Sequence, residues 1–146
     1  MMRFEGPYLL GPLTSLLGIR PGMNVHVVSP PEGFMEKLLP LPDGAALVAT
    51  SKTGIDLTIL FAERKIDVVE KLKTLSHGMA LTGAIWVVYP TTSDAAQAPT
   101  EEFIRLAAME LGLTDTKRLM LGPAWSALRL QWRPRAPRLE VPRAEA

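Results

Sequence analysis

The sequence predicts an α/β domain in three layers: an open, mostly parallel sheet with helices on both faces, ending in a C-terminal antiparallel hairpin. Three observations point there. Short β-branched apolar runs alternate with helical patterns, as strand–helix–strand crossovers require. Two of those runs, 56–62 and 83–89, are apolar at consecutive positions, as in strands buried on both faces. The last two strand-like runs are separated by Gly122-Pro123-Ala124-Trp125, which is turn chemistry suited to a hairpin.

Taken in order, Gly6-Pro7 and Gly11-Pro12 punctuate an N-terminal arm, 1–12, that leads into a short helix over 13–17 closed by Gly18. The run 23–29 is a strand halted by Pro30-Pro31. Phe34, Met35, Leu38 and Leu39 then recur at helical spacing within 32–39, and Pro40 and Pro42 forbid continuation. The run 45–49 is a weak strand and 56–62 a strong one. Over 64–76, Ile66, Val69, Leu72 and Leu75 recur every third position among charged residues, an expected sheet-covering face. A strand over 83–89 stops at Pro90, and Thr100 is placed to N-cap a helix whose Glu101 and Glu102 suit its positive end. Phe103, Ile104, Ala107, Ala108 and Leu111 form the expected inner face of that helix, which Gly112 ends. Strands over 116–121 and 126–132 complete the domain, 13–132, and a Pro/Arg-rich tail follows from 133 to 146.

Composition excludes more than it assigns. With 146 residues, 47% hydrophobic and 21% charged, one packed domain is expected. The absence of cysteine removes disulfides, thiolate nucleophiles and thiolate metal sites. The formal net charge of +1 gives no global field for nucleic acid. Glu5 and Pro7 interrupt the start where a secretory signal needs an apolar stretch, and no run approaches the ~20 residues that span a bilayer, so a cytoplasmic protein without membrane contact is expected.

Three stretches resemble the Rossmann-like fold of class I S-adenosylmethionine-dependent methyltransferases. Leu17-Gly18-Ile19-Arg20-Pro21-Gly22-Met23-Asn24-Val25 is similar to the lead-in to that family's first strand, and 55–60 to its fourth. The stretch from Leu72 through Gly83-Ala84-Ile85-Trp86-Val87-Val88 is similar to the following helix, turn and fifth strand. A closer resemblance is to a bacterial family of short methyltransferase-like proteins of unknown function, carried by Trp86-Val87-Val88-Tyr89-Pro90 and Trp125-Ser126-Ala127-Leu128-Arg129. Thr91 and Thr92 stand where that family often has lysines.

The first resemblance implies a nucleotide-like cofactor, and the residues meet its needs poorly. Such a ligand requires close backbone approach after the first strand and an acid at the end of the second. Here Ser29-Pro30-Pro31-Glu32-Gly33 lacks two N–H donors and keeps one glycine, while Thr50-Ser51-Lys52 offers no carboxylate. Ala62-Glu63-Arg64 lacks the Asn-Pro or Asp-Pro pattern some amino-group methyltransferases present to substrate. The reading is therefore a non-catalytic binding or interaction module without cofactor on a degenerate methyltransferase-like fold. The alternatives are a small S-adenosylmethionine-dependent methyltransferase with a divergent loop, or an oligomeric scaffold.

Ligands of open α/β sheets bind at the C-terminal strand edge, which makes Ser29, Glu32, Gly33, Thr50, Ser51, Glu63 and Tyr89 the candidate binding residues. No catalytic or metal residue is assigned. His26 and His77 are far apart in sequence, and Ser29 and His26, three apart on a strand, face opposite sides. Trp125 and Trp132 among arginines could stack single-stranded nucleic acid, but Leu128, Leu130 and Trp132 alternate with Arg129 and Gln131 as one buried and one wet face. The two proline-marked ends are expected to rest on the domain itself or on a second copy in a homodimer.

Overall fold

The computed structural model describes residues 3–4, 12–49, 53–93 and 95–134. Its elements run α1 (Leu13–Leu17), β1 (Asn24–Val28), α2 (Phe34–Leu38), β2 (Ala46–Leu47), β3 (Ile55–Phe61), α3 (Lys65–Ser76), β4 (Met79–Pro90), α4 (Glu101–Glu110), β5 (Leu113–Met120) and β6 (Trp125–Trp132). The six strands form one sheet in the order β2-β1-β3-β4-β6-β5. β2, β1, β3 and β4 are parallel, whereas β6 runs antiparallel to both β4 and β5. The open α/β sheet with a terminal hairpin is as the sequence predicts.

Alternation along the strands divides the core into two layers. On one face Val25, Leu57, Ile59, Phe61, Ala84, Trp86 and Val88 pack against α1 and α2 through Leu13, Leu17, Phe34 and Leu38. On the other, Leu60, Ile85, Val87 and Tyr89 pack against Val68, Leu72 and Leu75 of α3 and Ile104 and Ala108 of α4. Both faces of β3 and, from Gly83 onward, of β4 are buried, which explains their consecutive apolar runs.

Local signals act where expected. Gly18, at φ +80°, closes α1, and the Ile19 N–H donates to Thr14 O at 2.9 Å. The buried Trp86 indole N–H donates to Leu17 O at 2.9 Å, satisfying a carbonyl at the end of α1 and fixing that helix to β4. Thr100 caps α4, its hydroxyl oxygen accepting from the Phe103 N–H at 3.1 Å.

The face assigned to α3 needs correction. Ile66 and Val69 are about half exposed, whereas Val68 and Leu72 are fully buried and Leu75 nearly so. Residues three apart advance 300° around a helix, so a strict three-residue repeat walks off the buried face; the 68, 72, 75 set, spaced four and three, stays on it.

Strand limits also move. β4 begins at Met79, and its register against β3 shifts between the Ile55↔Met79 and Leu57↔Ala84 pairs. Gly83 lies at that irregularity, where a Cβ would stand 2.8 Å from Ile55 O. β5 begins at Leu113, earlier than the apolar pattern indicates, and pairs with the far end of β6. Pro90 forms the last pair of β4 rather than lying beyond it.

These packing assignments predict that Leu72→Ala costs about 2–5 kcal/mol of unfolding free energy, whereas Val69→Ala costs under about 1 kcal/mol, as measured by urea denaturation.

Candidate functional site

The sheet order reverses between β1 and β3: β1 leads by way of α2 to β2 on one side, and β3 by way of α3 to β4 on the other. The C-terminal ends of these two strands are where an open α/β fold admits a ligand. Here that crest is filled by the chain itself. Phe4, buried among the residues of the first layer, meets Phe34 edge to face at 5.0 Å; Phe34 meets Phe61 at 4.7 Å, and Phe61 meets Trp125 at 5.3 Å. Such tilted pairs each contribute about 0.5–1.5 kcal/mol beyond the apolar area they bury.

Backbone contacts hold the N-terminal residues in place. The Phe4 N–H donates to Glu32 O at 2.9 Å, and the Trp125 indole N–H donates to Arg3 O at 3.4 Å. Arg3 and Glu32 also form an exposed ion pair at 2.9 Å, a geometry of small energetic weight. Gly33 has φ +93°, and a Cβ there would stand 2.9 Å from Phe4 O. The glycine that would let a ligand approach the backbone therefore admits Arg3-Phe4 instead.

The candidate residues do not converge on one cavity. Ser29, Glu32 and Gly33 share the loop after β1, but Glu32 is turned to Arg3. Ser29 is exposed, with φ +57°, a left-handed conformation that costs a non-glycine residue about 1–2 kcal/mol. Its hydroxyl accepts from Lys71 Nζ at 3.1 Å. Glu63 is exposed beyond β3. Thr50 and Ser51 lie outside the described residues.

Tyr89 lies apart, in a polar hollow of about 690 Å³ that it shares with Lys65, Thr91, Glu101, Arg118 and Ser126. Glu101 accepts hydrogen bonds from Arg118, at 2.8 Å, and from Arg105, which also pairs with Asp115 at 3.3 Å. Hydrogen bonds from Arg118 and then Arg105 hold the Glu101 carboxyl below its ordinary range. Burial, followed by the negative charge of Glu101, pushes the Tyr89 phenol upward. The hollow thus offers hydroxyls and a largely internally paired charge network.

A second opening, a groove of about 460 Å³, lies between β1 and α3 and is lined by His26, Val28, Ser29, Lys71 and Leu75. His26 is buried on its floor, with Nδ1–H donating to Val48 O at 3.0 Å, since a carbonyl can only accept. His77 lies at the far end of α3, and among the described residues no group of three or more His, Asp or Glu is placed to hold a metal. The Trp125 ring is buried in the first core layer, and Trp132 is partly buried against the second.

Sequence reasoning missed Phe4 and Lys71. Neither carries a local signal, because each acts on a partner distant in the chain: Phe4 on Phe34, and Lys71 on Ser29.

A sheet in the order β2-β1-β3-β4-β6-β5, with β6 reversed, defines a methyltransferase-like α/β domain, and solved structures share it. A SAM-dependent methyltransferase from Aquifex aeolicus aligns with TM-score 0.54 at 10% identity, over 81% of this chain and 86% of that one. A possible exported protein from Bordetella parapertussis aligns with TM-score 0.61 at 14% identity, over 82% of this chain and 65% of that one. Magnesium protoporphyrin IX methyltransferase from Synechocystis PCC 6803, solved with bound SAH, aligns with TM-score 0.52 at 9% identity, over 77% and 74%. At these identities the likeness is one of fold. No curated protein matches the chain. The chain belongs to the family described as protein of unknown function (DUF3052), whose model matches residues 42–134.

The residues present do not fit the S-adenosylmethionine that such a fold implies. Phe4 occupies the approach to Gly33, and Pro30 and Pro31 supply no N–H donors to the loop after β1.

The Glu101 network makes a pH-dependent contribution. A carboxyl whose folded pKa is depressed stabilises the fold above its unfolded value, and this is lost as pH falls through the folded value. Glu101→Gln should therefore lower stability at pH 7 by under about 1 kcal/mol. The difference from the native chain should close as the pH is lowered below the ordinary glutamate range, followed by urea unfolding across pH 2–7.

Proposed function

We propose that this protein is a non-catalytic binding module, built on a methyltransferase-like sheet, that neither binds S-adenosylmethionine nor transfers methyl groups. The observation that carries this reading is the closed crest. The chain's own Arg3-Phe4 lies against Gly33, and the Phe4–Phe34–Phe61–Trp125 row continues across the ends of β3 and β4. The neighbours of known activity are methyltransferases, but fold alone does not carry activity.

The reading includes a bacterial, cytoplasmic setting. The bacterial family resemblance and the absence of cysteine support it, and among the described residues no helix is long and apolar enough to cross a membrane. A homodimer formed through the terminal arms is a further part of the proposal; Arg3 and Phe4 lie on their own domain, and residues 5–11 and 135–146 lie outside the described residues.

Calorimetric titration of the full chain with S-adenosylmethionine and with S-adenosylhomocysteine tests the central claim. No saturable heat is expected for either compound up to about 1 mM, whereas micromolar binding, worth about 8 kcal/mol, would overturn the reading in favour of a small methyltransferase.

A further inference from the structure

The groove between β1 and α3 lies where, among the described residues, no helix covers this face of β1. α3 and α4 cover β3, β4 and the hairpin on their face, while the connection from β2 to β3, residues 48–54, shows no helix among its described residues. The α3-side face of β1 is left facing a groove, with Val28 and the ring of His26 on its floor. Leu75 of α3 forms the inner wall.

Helical geometry determines which polar groups reach this space. At 100° per residue, Lys71 lies 40° from Leu75 and directs its side chain across the groove, whereas Glu70 and Thr74 lie further round on the outer lip. Nζ of Lys71 meets Ser29 Oγ at 3.1 Å and so spans the mouth.

Two features of that mouth point to a ligand. Lys71 brings its charge to the mouth of the groove, where it meets a neutral hydroxyl and no carboxylate among the described residues. In addition, Ser29 is the one non-glycine described residue with positive φ, and it presents its hydroxyl at the same point. Held strain of this kind concentrates where ligands bind.

We propose that this groove binds a small amphipathic carboxylic acid. The apolar body lies on Val28, Leu75 and the His26 ring, and the carboxylate accepts hydrogen bonds from Lys71 and Ser29. An apolar cleft of 300–1,000 Å³ with a few convergent polar groups is the usual form of a small-molecule site, and about 460 Å³ lies in that range. The site is separate from the closed crest, and it deepens and rests on the binding-module reading.

The test is an NMR titration of the ¹⁵N-labelled full chain with octanoate, octanol and octylammonium. Octanoate should give saturable shifts at the Val28, Ser29, Lys71 and Leu75 amides, with octanol and octylammonium each weaker by at least about tenfold. Lys71→Met should weaken octanoate by a similar factor, and Lys71→Glu should reverse the preference toward octylammonium. Unchanged spectra of unliganded Lys71→Met would show that the fold is intact. No saturation by octanoate up to about 5 mM, shifts centred instead on Tyr89, or equal affinity in Lys71→Glu would each overturn the proposal. These outcomes are independent of the crest: S-adenosylmethionine binding overturns the module reading, whereas a failure confined to octanoate overturns this site alone.

Discussion

Four aromatic rings at the C-terminal edge of the sheet determine what the rest of the molecule can do. Phe4 comes from the N-terminal segment, Phe34 from α2, Phe61 from the end of β3 and Trp125 from the start of β6. Each tilted contact places a ring edge against the next face, and together they join four parts of the chain without one hydrogen-bonded ladder in common. The row uses the space that an open α/β sheet ordinarily presents to a ligand. Gly33 completes the arrangement, because only a residue without Cβ lets Phe4 O approach its α-carbon in this way.

Beside the closed crest, the described residues form two openings of different character. The hollow around Tyr89 is polar, but its charges are largely consumed internally: Glu101 answers Arg105 and Arg118, and Asp115 answers Arg105 again. Lys65 in its wall faces the Phe103 ring at 5.4 Å. The groove beside α3 is the reverse, apolar within and carrying a cation at its mouth without a carboxylate partner among the described residues. In the site proposed there, the preference of a near-neutral chain for an anion comes from one lysine placed over an apolar floor and not from a global field.

Much of the scaffold was legible because it rests on short-range rules. Thr100 caps α4 as its position implies, and the continuous runs of β3 and β4 occupy the sheet centre. The hairpin after Met120 closes antiparallel. The inner face of α3 was misread at Ile66 and Val69, since a repeat of three drifts about 60° round the helix at each step and leaves the buried stripe within α3. The early starts of β4 and β5 were hidden because register irregularities and cross-strand pairing, not local apolar pattern, hold those residues. The candidate site was legible only as a strand edge. Ser29 and Tyr89 do line openings, but different ones, and the residues that decide the character of the edge, Phe4 and Lys71, act across 30 and 42 positions of sequence.

A double-mutant cycle measures directly whether Phe4 belongs to the aromatic row. Unfolding free energies would be determined for the native chain, Phe4→Leu, Phe34→Leu and the double variant; leucine keeps apolar bulk while removing the ring. A coupling of about 0.5–1.5 kcal/mol between the two positions is expected. Additivity within about 0.3 kcal/mol would contradict it, since independent residues of that kind could not hold the N-terminal segment across the crest.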